Sequence, residues 1–165
     1  MLVTSVASYW MVFVSLFFSL LLAVYPLPFA VQWLRPDWTA MVIIYWAVTL
    51  PWRVGVVLAW VMGLVLDGFT GVTLGQNALG LVVITYVCHV IHQRMRNFGI
   101  LQQSAVVFVL VGMHLLLGHW VQSLALASSK NLNFLLAAAT SACCWPLFTV
   151  AMRTCFRVVP RSRPI

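Results

Sequence analysis

The sequence predicts an all-α polytopic membrane protein of six transmembrane helices in one integral membrane domain, residues 1–165. Charge is nearly absent: nine residues are Lys or Arg, two are Asp and none is Glu, 7% of the chain against roughly 25% in a soluble domain. The hydrophobic 64% comes in long continuous runs that do not alternate. In hydrocarbon each backbone amide needs an internal partner, and continuous apolar runs meet that need as helices, not as a barrel. About 20 residues cross a hydrocarbon core roughly 30 Å thick, so this length holds about six crossings with short connections and no separate aqueous domain.

Breakers and charges set the elements in order. The first span is predicted over about 6–25. It is read as a retained span and not a cleaved signal, because no side-chain cation precedes Arg35 and the run outlasts the 7–15 residues of a signal core. Pro26 and Pro28 end it, and the connector from Pro26 to Asp37, carrying Phe29 and Trp33, is expected at the interface. The second span, 38–52, ends at Pro51 and Arg53; the third covers about 54–70. The fourth runs over about 74–92, the fifth 104–127 and the sixth 132–152, before a basic cytoplasmic tail, 153–165. With the amino terminus inside, Arg53, Arg94, Arg96, Arg153, Arg157, Arg161 and Arg163 fall on the inner side and Arg35 and Lys130 outside, seven against two. Short cytoplasmic loops are enriched in Lys and Arg, so both termini are expected in the cytoplasm.

The net charge of +7 does not indicate nucleic acid, because a basic patch needs a water-exposed face to work on phosphates. The tail arginines fit attraction to anionic membrane lipids instead, at about 1 kcal/mol per residue. Cys88, Cys143, Cys144 and Cys155 lie in or beside apolar runs with no zinc or redox spacing, and read as small hydrophobes.

Asp67 is the only acid inside an apolar run, which makes it a functional candidate by default. The second and third spans read as a hairpin turning between Trp52 and Arg53, which sets Asp67 level with Trp38 and within reach of Arg35. Gly63, Asp67, Gly71 and Gly75 recur every fourth residue, a stripe along which another backbone can come close. A structural role for Asp67, paired with Arg35 or with backbone donors, stands beside ligand or proton chemistry. If Gly68, Gly71 and Gly75 break the helix instead, Thr70, Thr73, Gln76 and Asn77 would line a polar turn able to bind a small ligand.

Elsewhere the chemistry is thin. His89 and His92 have metal-compatible spacing but no third ligand, and fit an interfacial anchor; His114 and His119 lie on different faces. Asp37 is expected ionised and solvated in a loop beside Arg35. No nucleophile elbow or Ser-x-x-Lys pattern occurs, so no catalytic, cofactor or metal residues are assigned and no enzyme activity is expected. Trp33, Trp38, Trp52, Trp120 and Trp145 fall near span ends, as belts and packing.

The strings Arg35-Pro36-Asp37-Trp38, Tyr45-Trp46, Leu50-Pro51-Trp52-Arg53-Val54 and Gly63-Leu64-Val65-Leu66-Asp67, followed by Gly71 and Leu74-Gly75, together resemble the bacterial rod shape-determining MreD family. Trp145-Pro146 with Met152-Arg153 resembles the family's carboxyl-terminal pattern. The resemblance implies a non-catalytic inner-membrane scaffold of the cell-wall elongation complex. Its partners would be a bitopic MreC-like protein, the actin-like MreB and the peptidoglycan polymerase and transpeptidase pair. It also implies a fold similar to the substrate-binding membrane subunits of vitamin uptake transporters. A small-molecule binding or transport subunit with an outward-facing pocket near Asp67 is the alternative. Small-residue stripes, Gly63 to Gly75 and Ala137/Ser141 or Ala138/Ala142, offer surfaces for partner helices.

Overall fold

A computed structural model describes residues 2–25, 35–125 and 134–156. It is all-helical: α1 is Leu2–Val24, α2 Trp38–Thr49, α3 Val56–Thr70, α4 Gln76–Asn97, α5 Ile100–Ala125 and α6 Phe134–Phe156. By length and composition α4, α5 and α6 are long and apolar enough to cross a membrane. Six helices lie along the six predicted segments. The connector residues Phe29 and Trp33, together with Lys130, Arg157, Arg161 and Arg163, lie outside the described residues.

Local chemistry explains the ends. Asp37 caps α2 through Ala40 N–H (3.0 Å), and Pro51 follows its last turn. Gly71, in the left-handed region at φ 67°, closes α3 by donating its N–H to the Asp67 carbonyl at 3.0 Å. Between α4 and α5 the expected loop contracts to Phe98 and Gly99. The Gln103 amide donates to the Met95 and Phe98 carbonyls, both at 3.1 Å, so the α4 terminus is satisfied from the first turn of α5. Arg94 and Arg96 are therefore in the last turn of α4, where cations complement the helix dipole, not in a loop.

α2 is the centre of the bundle. Nine of its 12 residues are buried, the pattern of a helix apolar all round, and it packs against α1, α4, α5 and α6. The expected hairpin does not form as a packed pair: α2 and α3 barely touch each other, and each lies against α1 and α4. Trp46, fully buried, donates its indole N–H to the Ser15 hydroxyl at 2.7 Å and joins α2 to α1. Tyr45 meets Trp46 edge to face, with centroids 5.3 Å apart. At the α2–α3 turn, Arg53 lies 4.9 Å over the Tyr9 ring and Trp52 is 97% exposed. Trp120 is also exposed, but Trp145 is buried, its N–H directed to Gln103 at 3.4 Å, so it packs the interior and is not a belt residue.

The glycine stripe resolves into two uses. Gly63 and Asp67 are buried on the face of α3 turned to α4, and a Cβ at Gly63 would fall inside the backbone of Ala78. Gly71 and Gly75, at φ 67° and 95°, are turn glycines, not part of a helical stripe. Gly63→Ala should therefore cost about 1–3 kcal/mol through overpacking, read as a lower unfolding temperature in detergent. Gly68→Ala, where a Cβ meets nothing within 4 Å, is the control that should leave it unchanged.

Candidate functional site

Asp37, Asp67, His114 and Ser141 lie in the half of the bundle where α2, α4 and α6 begin and α3 and α5 end. Asp67, 1% exposed in the last turn of α3, accepts Gly75 N–H at 2.8 Å on Oδ2 and Asn77 N–H at 2.9 Å on Oδ1. The carboxylate thus caps α4, supplying acceptors to amides that begin a helix and negative charge to its positive end. This is the backbone-donor form of the structural role. The pairing with Arg35 does not occur: Arg35 Nη2 donates to the Leu22 carbonyl in the last turn of α1. The hairpin symmetry behind that expectation fails because α2 and α3 are splayed.

The polar turn does form, with Asp67 as a member. α3 runs through Gly68 and breaks at Gly71. Thr70 donates to the Leu66 carbonyl at 2.8 Å and Thr73 to Gln76 Oε1 at 3.1 Å, so these hydroxyls are used locally.

The second centre is Asp37, whose side chain is 14% exposed and held by protein partners and is not loosely solvated in a loop. Oδ1 accepts Ala40 N–H, Oδ2 lies 3.2 Å from His114 Nε2, and the Asp37 backbone N–H donates to Ser141 Oγ at 2.9 Å. Ser141 in turn donates to the Ala137 carbonyl at 2.7 Å. One residue therefore ties the start of α2 to α5 and α6. The His114 ring, 2% exposed, lies over Gly80 of α4, where a Cβ would collide with Nδ1. Nδ1 has no hydrogen-bond partner among the described residues, and Nε2–H donates to the Asp37 carboxylate. Burial by itself raises the Asp37 carboxyl, but His114, its hydrogen bond, the Ala40 amide and Arg35 outweigh it and hold the group below the usual carboxylate value.

Sequence reasoning missed His114 and did not give Ser141 this role. Two signals were present: Asp37 precedes an apolar run at N-cap spacing, and His114 is itself an ionisable residue inside an apolar run. Of the other residues singled out, Pro36 offers its carbonyl to Trp38 N–H at 3.0 Å and Trp38 is half-buried. His89 Nε2 lies 2.8 Å from the Val54 carbonyl and His92 Nδ1 2.6 Å from the His89 carbonyl. Among the described residues no three His, Cys, Asp or Glu converge on a common point. The Ser141 hydroxyl is directed to a carbonyl and not to the imidazole, so the cluster joins helices and does not activate a nucleophile.

The architecture defines a class: a small helical membrane protein whose buried polar chemistry holds its own helices together. The family model described as rod shape-determining protein MreD matches residues 4–155. The rod shape-determining protein MreD of Haemophilus influenzae is 29% identical over 151 residues, covering 91% of this chain and 93% of that protein. No solved structure matches. The chain belongs to the MreD family.

Two outcomes test this site. Asp67→Ala strands the part-buried amides of Gly75 and Asn77, at about 1–3 kcal/mol in total, and should lower the unfolding temperature in detergent, while exchanging the charges of Arg35 and Asp67 should rescue none of that loss. For Asp37 the native carboxyl titrates below the unfolded one, so its stabilisation is complete above about pH 4 and is lost as pH falls through the native value. Asp37→Asn should flatten that acid limb in unfolding curves recorded across the acid range.

Proposed function

We propose that this protein is a non-catalytic inner-membrane scaffold of the cell-wall elongation complex, maintaining rod shape by binding a bitopic MreC-like partner and supporting lateral peptidoglycan synthesis. The observation that carries the reading is the family match over nearly the whole chain, residues 4–155, which supports a role in rod shape determination. The structure adds a physical argument. Asp37, Asp67, Ser141 and His114 are spent on contacts within the bundle. What the described helices present outward is apolar surface, including Phe13, Phe17 and Phe18 of α1 and Leu147 and Val150 of α6. A partner that recognises such a surface does so from within the membrane, with its spanning helix. MreB and the polymerase and transpeptidase pair complete the assembly, the cytoplasmic one meeting the inner end.

The same arrangement supports an orientation. Arg53 in the α2–α3 turn, Arg94 and Arg96 in the last turn of α4 and Arg153 in the last turn of α6 belong to the end away from Asp37. That end would be cytoplasmic, with both termini inside. The transport alternative is disfavoured by Asp67, since both of its carboxylate oxygens are already taken by backbone amides.

Copurification in mild detergent tests the scaffold. The full-length bitopic partner should be retained, and its soluble part alone should lose most binding. Undiminished binding of the soluble part, or recovery of a transport ATPase in place of wall-synthesis proteins, would overturn the reading.

A further inference from the structure

α3 is short for the lipid it meets. It holds 15 residues, Val56–Thr70, about 22 Å at 1.5 Å per residue, against a hydrocarbon core roughly 30 Å thick. α2 is shorter still, but it is mostly buried and its length is hidden from lipid. α3 lies at the perimeter, with Val57, Trp60, Val61 and Phe69 exposed.

Both ends of that apolar face are closed by groups that hydrocarbon excludes. Before α3, residues 50–55 lie outside any helix and carry the exposed Trp52 and Arg53. The Arg53 guanidinium is held 4.9 Å over the Tyr9 ring, so it does not extend freely to a more distant interface. After α3, Gly71 breaks the helix and the turn leads through Thr73 to Gln76 and Asn77. Irregular backbone facing lipid, like a cation, does not sit in the hydrocarbon region. α4 measures the same distance independently. Its Asn77 N–H is bound to Asp67 near one end of α3, and its His89 Nε2 lies 2.8 Å from the Val54 carbonyl at the other. From Asn77 to His89 a helix rises about 18 Å. Tilting α3 would only shorten its reach across the bilayer.

Side-chain size decides between lipid and another helix as the neighbour. Membrane helices approach one another closely through small residues. On α3, Ala59 and Gly63 are turned inward, Gly63 against Ala78, and a single glycine near its end, Gly68, is open. The outward surface is otherwise made of large apolar side chains, which suit acyl chains.

We propose that the bilayer is thinned where it meets α3, its hydrocarbon drawn in to about 22 Å, so that this face favours short-chain lipid. The proposal does not depend on the scaffold reading or on which end is cytoplasmic.

Electron paramagnetic resonance of the full chain in phosphatidylcholine vesicles with monounsaturated chains of 14, 18 or 22 carbons tests it. Nitroxides are attached singly at Val57→Cys and Phe69→Cys, with Cys143, Cys144 and Cys155 changed to Ala. Competing collisions with oxygen and a water-soluble nickel chelate give the depth of each label. The two positions are about 18 Å apart along α3, so that distance plus the two depths is the local thickness. Thinning gives depths that sum to about 4 Å whatever the chain length, whereas an undeformed core roughly 30 Å thick gives about 12 Å. A sum near 12 Å at 18 carbons, or one that grows with chain length, would overturn the proposal. Dipolar broadening between Val57 labels of neighbouring copies would place a second copy on this face and overturn it as well. If a labelled variant lacks native helix content by circular dichroism, the unaltered protein decides. Quenching of its tryptophans by brominated phosphatidylcholine should be relieved severalfold more strongly by the 14-carbon than by the 22-carbon lipid, and equal relief would sink the assignment.

Discussion

Both acidic side chains of the sequence begin a helix. Asp37 accepts the Ala40 amide at the start of α2, and Asp67 accepts the Gly75 and Asn77 amides at the start of α4. The constraint behind this is general: the first amides of a helix lack intrahelical acceptors, and near a hydrocarbon core little water is available to supply them. A carboxylate meets both the unsatisfied donors and the positive end of the dipole. With two acids in the whole chain and both used this way, the negative charge of this protein is committed to its architecture.

Asp37 also organises the bundle, because its second oxygen and its own amide reach His114 and Ser141 on two further helices. α2 is short and mostly buried, so it has little lipid contact to orient it; the joint at its N-cap sets its position against α5 and α6. Asp67 does the corresponding work for α3 and α4, holding the turn between them while Gly63 lets the two backbones approach Ala78 closely. Small residues act in the same way further on: Gly80 receives the His114 ring and Gly118 approaches Gln76. Gly63, Ala138 and Ser141, which invite assignment to a partner interface, are buried within the protein itself. What the described helices leave outside is larger apolar side chains.

The all-helical class and the six segments were legible in the sequence, because they depend on local quantities: length of an apolar run, position of prolines, absence of charge; whether Gly71 and Gly75 extend a helical stripe or break the helix was left open, and the structure makes them turn residues. The importance of Asp67 was legible for the same reason, as an acid inside such a run. The hairpin symmetry that paired it with Arg35 was not sound, since adjacency in sequence does not oblige two helices to pack, and α2 and α3 each found better surfaces on α1 and α4.

What the sequence by itself determined is the medium and the elements: a chain with this little charge folds as apolar helices and must satisfy its polar groups internally. Which polar group satisfies which was decided by tertiary structure alone. Asp37 and His114 are separated by nearly half of the chain, and Asp37 and Ser141 by 104 positions, and no periodicity relates them. They meet because α2, α5 and α6 converge, and that convergence arises from the packing of apolar faces against one another, which no local pattern encodes.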